Sequence, residues 1–163
     1  MKQHSGILRN MASVDLRNGE QILLLFRQGS SIVNNLWIGS AGGHFERDEL
    51  NNAQDCVLRE LQEELGLTAD AIQNLSLRYI TLRYTDTEIR QNYYFFAELI
   101  SDKKTELHST EGITRWYCLN ELADLEMPFT ARHMIDHYLK TGQFNDELYG
   151  GLATSDHVIF EKL

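Results

Sequence analysis

Apolar residues in the first part of the chain fall into alternating stretches and short runs, the pattern that is typical of β-strands. This pattern predicts strands at residues 5–16 and 20–27. Asn18-Gly19 lies between them and predicts a hairpin with a type I′ turn, because that turn needs a positive φ at both central residues. After a loop, a further short strand is expected near residues 37–41.

Later in the chain, β-branched and aromatic residues predict four more strands. The first two of these are long and are joined by a turn at residues 86–88. The four predicted strands cover residues 75–86, 89–100, 113–119 and 157–161.

Two segments have the helical period instead. In the first, apolar residues recur at every fourth position, at Ala53, Val57, Leu61 and Leu65. We expect Gly66 to end this helix in a left-handed conformation. The second helix is predicted at residues 131–140, and its expected N-terminal and C-terminal caps are Thr130 and Gly142.

The order of these elements is strands, one helix, further strands and a second helix. This order predicts an α/β or α+β sandwich in which a mixed sheet lies between helices. The length of 163 residues fits one domain with an ordinary core. We therefore expect residues 1–163 to form a single domain, with residues 143–163 as a C-terminal extension.

The net charge of −9 argues against nucleic-acid binding through a broad basic surface. The longest purely apolar run is residues 22–26, which is far too short for a membrane span. Cys56 and Cys118 belong to no CxxC pair, and we interpret them as thiols in a reducing compartment. The N-terminal residues lack the apolar segment of a signal peptide, so the cytoplasm is the expected location.

Three glutamates, Glu60, Glu63 and Glu64, project from one side of the first predicted helix. One interpretation is a solvated acidic face, where each like-charge pair costs only about 0.2–0.5 kcal/mol. In a cleft, each pair would repel by about 3 kcal/mol at an effective dielectric near 20, and cations would be needed among the carboxylates. Mg²⁺ suits such a place, because it binds one or two carboxylates together with substrate phosphate oxygens.

The neighbouring residues favour the cleft. Gly42-Gly43 permits a backbone carbonyl to approach both the helix and a ligand. Arg59 can pair with Glu63 across one helical turn, or it can hold another carboxylate in place.

Residues 43–67 resemble the Nudix box, which reads Gly, five residues, Glu, seven residues and then Arg-Glu-apolar-x-Glu-Glu-x-Gly-apolar. Here Gly43 is followed by five residues and Glu49, and Arg-Glu-Leu-Gln-Glu-Glu-Leu-Gly-Leu at residues 59–67 matches every fixed position. Nine residues instead of seven separate Glu49 from Arg59. We place the extra two in the loop before the helix, near residues 50–52, which leaves the role of Glu49 open. The resemblance covers about residues 5–142.

The resemblance implies a Nudix-type α/β/α sandwich and a Mg²⁺-dependent pyrophosphohydrolase, with Mn²⁺ as an alternative ion. Its substrate would be a nucleoside diphosphate derivative, such as a nucleoside triphosphate in the MutT-like branch. The alternatives are an ADP-ribose, nucleotide-sugar or isoprenoid-diphosphate hydrolase or isomerase, and a nucleotide-sensing domain without turnover. The expected partner is thus a small nucleotide-like diphosphate, with no nucleic acid and no membrane, and the resemblance leaves a homodimer open.

Carried over by position, the resemblance also implies site residues. The metal ligands would be the carbonyl of Gly42 and the carboxylates of Glu60, Glu63 and Glu64. The catalytic residues would be Arg59, Glu60, Glu63 and Glu111. Arg59 would orient a catalytic carboxylate, and Glu111, in a loop before a Trp-containing strand, would lie where the MutT-like branch brings a glutamate near the metals.

Substrate contacts are expected from Trp37, Gly43, Arg83 and Phe129. Trp37 and Phe129 offer rings that can stack on a base, although such aromatic residues are more often part of a core. Arg83, like Arg78 and Arg90, falls on or beside the long central strands, where it can hold a distal phosphate or be an ordinary surface residue.

The segments that read the base in some similar oxidised-purine hydrolases lack the usual amide or acidic residues here. Ile38 stands after Trp37 where those enzymes often have Asn. Residues 127–130, Met-Pro-Phe-Thr, contain no carboxylate or amide. A site that selects a base by hydrogen bonds needs such groups, so readout of an oxidised guanine is not expected.

Overall fold

The structure is a computed structural model that describes residues 6–31, 33–100 and 107–163. In this part of the chain, strands and two α-helices alternate in the order β1 to β4, α1, β5 to β7, α2, β8 and β9. Their bounds are β1 Ile7–Asn18, β2 Gln21–Arg27, β3 Leu36–Ile38, β4 Ala41–His44, α1 Ala53–Leu65, β5 Ile72–Tyr84, β6 Glu88–Leu99, β7 Gly112–Cys118, α2 Phe129–Lys140, β8 Tyr149–Ala153 and β9 Val158–Lys162.

All of these strands belong to one mixed sheet. Its main path runs in the order β3-β2-β1-β6-β5-β8-β9, while β4 also pairs with β1 and β7 also pairs with β2. The centre of the sheet is the parallel pair β1 and β6, and β5 pairs with β6 in antiparallel orientation. The last two strands form a hairpin that adds to β5, so residues 149–162 extend the sheet at one edge.

The two helices cover opposite faces of the sheet. Along β6, Phe95 belongs to the apolar cluster beneath α1, and its neighbour Phe96 belongs to the cluster beneath α2. This alternation follows from the pleat of a strand, which sends successive side chains to opposite faces. The predicted α/β/α sandwich with a mixed sheet is therefore confirmed.

Strand β1 changes partner along its length, and this change creates the sheet edge against which the glutamates of α1 lie. It pairs with β2 at Leu16 to Asn18 and with β4 at Met11 to Val14. The buried Ser40 joins the strands where they separate, because its hydroxyl accepts from the Leu16 N–H at 2.8 Å and donates to the Leu23 carbonyl at 2.6 Å. Thus β4 carries the diglycine pair on an edge that β2 leaves uncovered.

The β1–β2 turn differs from the predicted type. Asn18 pairs with Gln21, so the two central residues of the turn are Gly19 and Glu20. Of these two residues, only Gly19 has a positive φ, which is 60°. A positive φ at the first central position alone is the pattern of a type II′ turn, for which glycine is the favoured residue.

The predicted caps of the second helix are wrong. Helix α2 begins at Phe129 after Pro128, and the Thr130 hydroxyl instead accepts a hydrogen bond from Tyr94 at 3.0 Å. A buried tyrosine hydroxyl needs a partner, and the first turn of the helix provides one. The helix ends at Lys140 with Thr141 in the C-cap position, and Gly142 begins a short 3₁₀ turn.

The predicted strand boundaries also shift. The single strand expected at 37–41 is two short strands, β3 and β4, and a further strand, β8, precedes the last one. Residue 5, where the first predicted strand begins, lies outside the described residues. No helix in the described part of the chain is long and apolar enough to cross a membrane.

The contacts of Ser40 predict the effect of its removal. Ser40→Ala leaves a buried N–H and a buried carbonyl without this partner, so the free energy of unfolding should fall by about 1–3 kcal/mol. Urea unfolding of the variant measures the loss. Ser31→Ala, at an exposed position, is the matched control and should stay within about 0.5 kcal/mol of the parent protein. An equal stability of both variants would contradict this role of Ser40.

Candidate active site

The helix of glutamates is defined at both ends. Helix α1 begins after Asn52, whose side-chain oxygen accepts from the Asp55 N–H, and ends at Gly66 with a φ of 67°. The loop before it contains a 3₁₀ turn at Arg47–Glu49 and the left-handed residue Asn51, whose φ is 69°. The two extra residues of this box therefore lie in the loop, and the helix face is intact.

Arg59 is the centre of the ionic contacts in this region. Its guanidinium forms a two-pronged pair with Glu49, at 2.5 and 3.0 Å, and contacts Glu60 at 2.8 Å and Glu63 at 3.1 Å. It also donates to the His44 carbonyl at 3.0 Å. One side chain thus ties α1 to the loop before it and to the end of β4.

Glu49 is a buried carboxylate whose charge depends on this arginine. Its side chain is only 7% exposed. The hydrogen bonds from Arg59 lower the pKa of Glu49 to about 2 against the opposing effect of burial. Glu49, whose place the spacing left open, thus contacts Arg59 through both of its carboxylate oxygens.

Glu60 and Glu64 lie against the diglycine pair. The Gly42 N–H donates to Glu64 at 3.3 Å. A Cβ on Gly43 would collide with the Glu60 carboxylate, so any larger residue there would push this carboxylate away from β4. The prediction that Gly42 and Gly43 let the backbone approach the glutamates agrees with this geometry.

Negative charge in this place is only partly compensated. Burial raises the pKa of Glu64 to about 7, and the neighbouring charges of Glu60 and Glu111 raise it further. Burial likewise raises the pKa of Glu60, against a lowering effect of the Arg59 hydrogen bond. Two adjacent carboxyl groups that resist ionisation mark a site where a cation would be stabilised.

Glu111 reaches the same region from the other half of the sheet. It stands just before β7, and its carboxylate forms an ion pair with Arg27 at 2.8 Å. The end of β2 and the start of β7 are paired, with Arg27 opposite Gly112. The structure thus brings Glu111 close enough to influence Glu64, although the two lie 47 residues apart in the sequence.

The donor set fits a hard divalent cation. Within residues 6–31, 33–100 and 107–163, no three acidic, histidine or cysteine side chains form a metal cage by themselves. Mg²⁺ needs no such cage, because it keeps several waters and takes one or two carboxylates with substrate phosphate oxygens. Glu60 and Glu64 beside Gly42 offer oxygen ligands of this kind, and Mn²⁺ accepts similar ones.

The predicted substrate residues lie in two places. Arg83 lies over the ring of Phe129, with 4.4 Å between the guanidinium carbon and the ring centroid. Trp37 instead packs against Phe26 and Tyr117, at centroid distances of 5.0 and 4.9 Å. Arg78 is not near them, because its buried guanidinium binds the backbone carbonyls of residues 142, 145 and 147.

A buried carboxyl that the sequence analysis missed lies in a cavity between the sheet and α2. Asp15 is 2% exposed, and the cavity of about 20 Å³ that it lines has room for one water. Burial raises the pKa of Asp15 to about 7. Ile38 and Met127 line the same cavity, so the polar group that their segments lack is supplied by β1. The only signal in the sequence was a carboxylate between Val14 and Leu16 in an apolar stretch.

Comparison with known proteins agrees with this geometry. A family model described as the NUDIX domain matches residues 7–138. No curated protein sequence matches the chain.

Solved structures share the fold at low sequence identity. A mutator MutT protein from Bacillus halodurans is 21% identical, with a TM-score of 0.65 over 94% of this chain and 97% of its own. A NUDIX hydrolase from Nitrosomonas europaea is 14% identical, with a TM-score of 0.70 over 92% of this chain and 81% of its own. A C. elegans Ap4A hydrolase, in a binary complex, is 12% identical, with a TM-score of 0.63 over 85% and 99%.

The raised pKa of Asp15 predicts how stability depends on pH. The unfolded chain releases this proton near pH 3.8, whereas the folded protein keeps it until about pH 7. The contribution of Asp15 to stability is therefore fully present below pH 3.8 and is lost as the pH rises to about 7. Asp15→Asn should remove this loss, so its stability relative to the parent should rise by about 2–4 kcal/mol between pH 4 and pH 8.

Urea unfolding at several pH values between 4 and 8 measures this difference. Asp124→Asn, at an exposed position, is the control and should follow the parent protein throughout. A constant difference between Asp15→Asn and the parent over the whole range would show that the Asp15 pKa is ordinary.

Proposed function

Because this chain belongs to the Nudix family of phosphoanhydride hydrolases, we propose that it is a Mg²⁺-dependent pyrophosphohydrolase. Its substrate is a nucleoside diphosphate derivative, such as a nucleoside triphosphate, and water cleaves the phosphoanhydride bond. The observation that carries this proposal is the pairing of Glu60 and Glu64 beside Gly42-Gly43. Burial raises the pKa of both carboxyls, and the charge of a metal ion would lower it again.

The carboxylates have different proposed roles. Glu60, Glu63 and Glu64, with the Gly42 carbonyl, hold the metal, which supplies charge neutralisation and a more acidic attacking water. Glu63 is the most exposed of the three, with 57% of its side chain accessible, and Arg59 holds it towards Glu60. This contact supports the orienting role of Arg59, because one guanidinium sets the direction of two ligands.

Glu111 is the proposed general base. Its side chain is 38% exposed, so water has access to it. The ion pair with Arg27 holds this carboxylate in the region where its charge acts on Glu64. A carboxylate in this position can accept the proton of the attacking water.

We propose that the substrate extends from the metal site onto the face of the sheet that α2 covers. Gly43 is the proposed backbone contact of the phosphates, Phe129 offers a ring face, and Arg83 offers a cation above that ring. Trp37 remains a proposed contact, although its ring packs against Phe26 and Tyr117.

Three further proposals concern the whole chain. The pairing of β8 with β5 supports one domain that includes residues 143–163. Cys56 and Cys118 are free thiols, which supports the cytoplasm as the compartment. A homodimer remains a prediction, and light scattering would measure the mass of the protein in solution.

Single substitutions test the proposed metal site. Glu60→Gln and Glu64→Gln each remove a negatively charged oxygen ligand, so kcat should fall at least about 100-fold, which corresponds to about 2.7 kcal/mol in the barrier. The assay is phosphate or pyrophosphate release with Mg²⁺ from nucleoside triphosphates, ADP-ribose, nucleotide sugars and dinucleoside polyphosphates. Glu161→Gln, at an exposed position on β9, is the control and should retain full activity.

Two outcomes would contradict the proposal. Turnover of the Glu60 and Glu64 variants within about threefold of the parent would remove both residues from catalysis. Binding of one of these compounds by the parent protein, with no cleavage of any of them, would favour a nucleotide sensor.

A further inference from the structure

Three arginines form a row across the middle of the sheet. The strand register places Arg9 of β1 opposite Arg90 of β6, and Arg90 opposite Arg83 of β5. Directly opposite residues point to the same face of a sheet, with strands about 4.8 Å apart. Arg83 contacts Phe129 of α2, so the face of this row is the one that α2 covers.

Among the described residues, the row carries more positive charge than its contacts balance. The carboxylate that contacts it there is Glu88, which serves two of the arginines, with Arg9 at 2.9 Å and Arg90 at 3.0 Å. Arg83 is stacked on the ring of Phe129. Like charges on directly opposite positions destabilise a sheet, and this protein has a net charge of −9 and plentiful carboxylates elsewhere. A cationic row kept in such a protein indicates an anionic ligand.

The beginning of α2 adds to this positive potential. Asn92 and Thr130 approach within 3.4 Å, so the first turn of α2 lies beside β6 near the row. This turn has no acidic residue and no side-chain cap on its N–H groups. The partial positive charge at a helix N-terminus favours a phosphate at the same place.

The row is also connected to the metal site. Arg9 contacts the His44 ring at 2.7 Å, and the His44 carbonyl accepts from Arg59. His44 ends β4 and follows Gly43, against which Glu60 lies. His44, at the edge of the sheet, is therefore the residue where the arginine row on the α2 face meets the contacts of Arg59.

We propose that Arg9, Arg90 and Arg83 bind a second phosphate group of the substrate, separate from the pyrophosphate that is hydrolysed. This inference rests on the proposed function and narrows its substrate class. The preferred substrate carries a phosphate monoester or a further phosphate on the part of the molecule that lies across the sheet. Guanidinium groups suit this task because they offer paired donors to phosphate oxygens.

The first experiment measures anion binding without metal and without turnover. Protein freed of metal ions on a chelating resin is titrated with inorganic tripolyphosphate by calorimetry at 50 mM salt. Arg83→Gln and Arg90→Gln should each weaken binding at least fivefold, and 200 mM salt should weaken binding to the parent protein. Arg115→Gln is the matched control, because Arg115 is also stacked on an aromatic ring, that of Tyr117, but stands on β7.

The outcomes are distinct. Equal affinity of the parent, Arg83→Gln and Arg90→Gln proteins, or an equal loss in Arg115→Gln, would overturn the proposal. This measurement does not depend on catalysis, so it tests anion binding by the arginine row even if the protein has no hydrolase activity.

The second experiment tests the substrate class with pairs of compounds that differ by one phosphate. NADPH with NADH, and coenzyme A with dephospho-coenzyme A, are compared as substrates and as inhibitors. In at least one pair the phosphorylated member should have a kcat/KM or an inhibition constant at least tenfold better. Arg90→Gln should abolish that preference, while Arg115→Gln keeps it. Equal values within both pairs would overturn the substrate class and leave the anion-binding result standing.

Discussion

The repulsion among carboxylates around α1 is the constraint on which this site depends. Arg59 is the group that makes it tolerable, because it contacts Glu49, Glu60 and Glu63 at the same time. The buried Glu49 binds two nitrogens of the guanidinium, and the third nitrogen donates to Glu60 and Glu63. The contacts of Arg59 do not extend to Glu64, which accepts from the Gly42 N–H instead, and a divalent cation is the natural complement beside this carboxyl.

The sheet places this charge next to a substrate surface. Strand β1 separates from β2, and Ser40 bridges them, so that β4 forms an edge against α1. On the face that α2 covers, a buried carboxyl at Asp15 and the row of Arg9, Arg90 and Arg83 lie along the same central strands. The site is therefore divided by charge: anionic at the β4 edge, and cationic across β1, β6 and β5.

The sequence predicted the parts of the molecule that rest on local periodicity and on the box. The limits of α1, the left-handed Gly66 and the loop position of the two extra residues all follow from the residues themselves. The sequence predicted less well those features that depend on pairing between distant strands. The Gly19 turn is displaced by strand register, Thr130 serves Tyr94 instead of the helix end, and β8 exists because β5 offers an edge. The sequence analysis missed Asp15 and did not recognise the arginine row for the same reason. The pairing of distant strands brings these side chains to their places, and the sequence does not show that pairing.

The most direct test of the central claim is the binding of Mn²⁺, followed by the electron paramagnetic resonance signal of the free ion during a titration. The parent protein should bind Mn²⁺, Glu60→Gln and Glu64→Gln should each weaken this binding at least tenfold, and Glu161→Gln should leave it unchanged. Equal Mn²⁺ affinity in all four proteins would contradict the claim that the glutamates beside Gly42-Gly43 hold the metal.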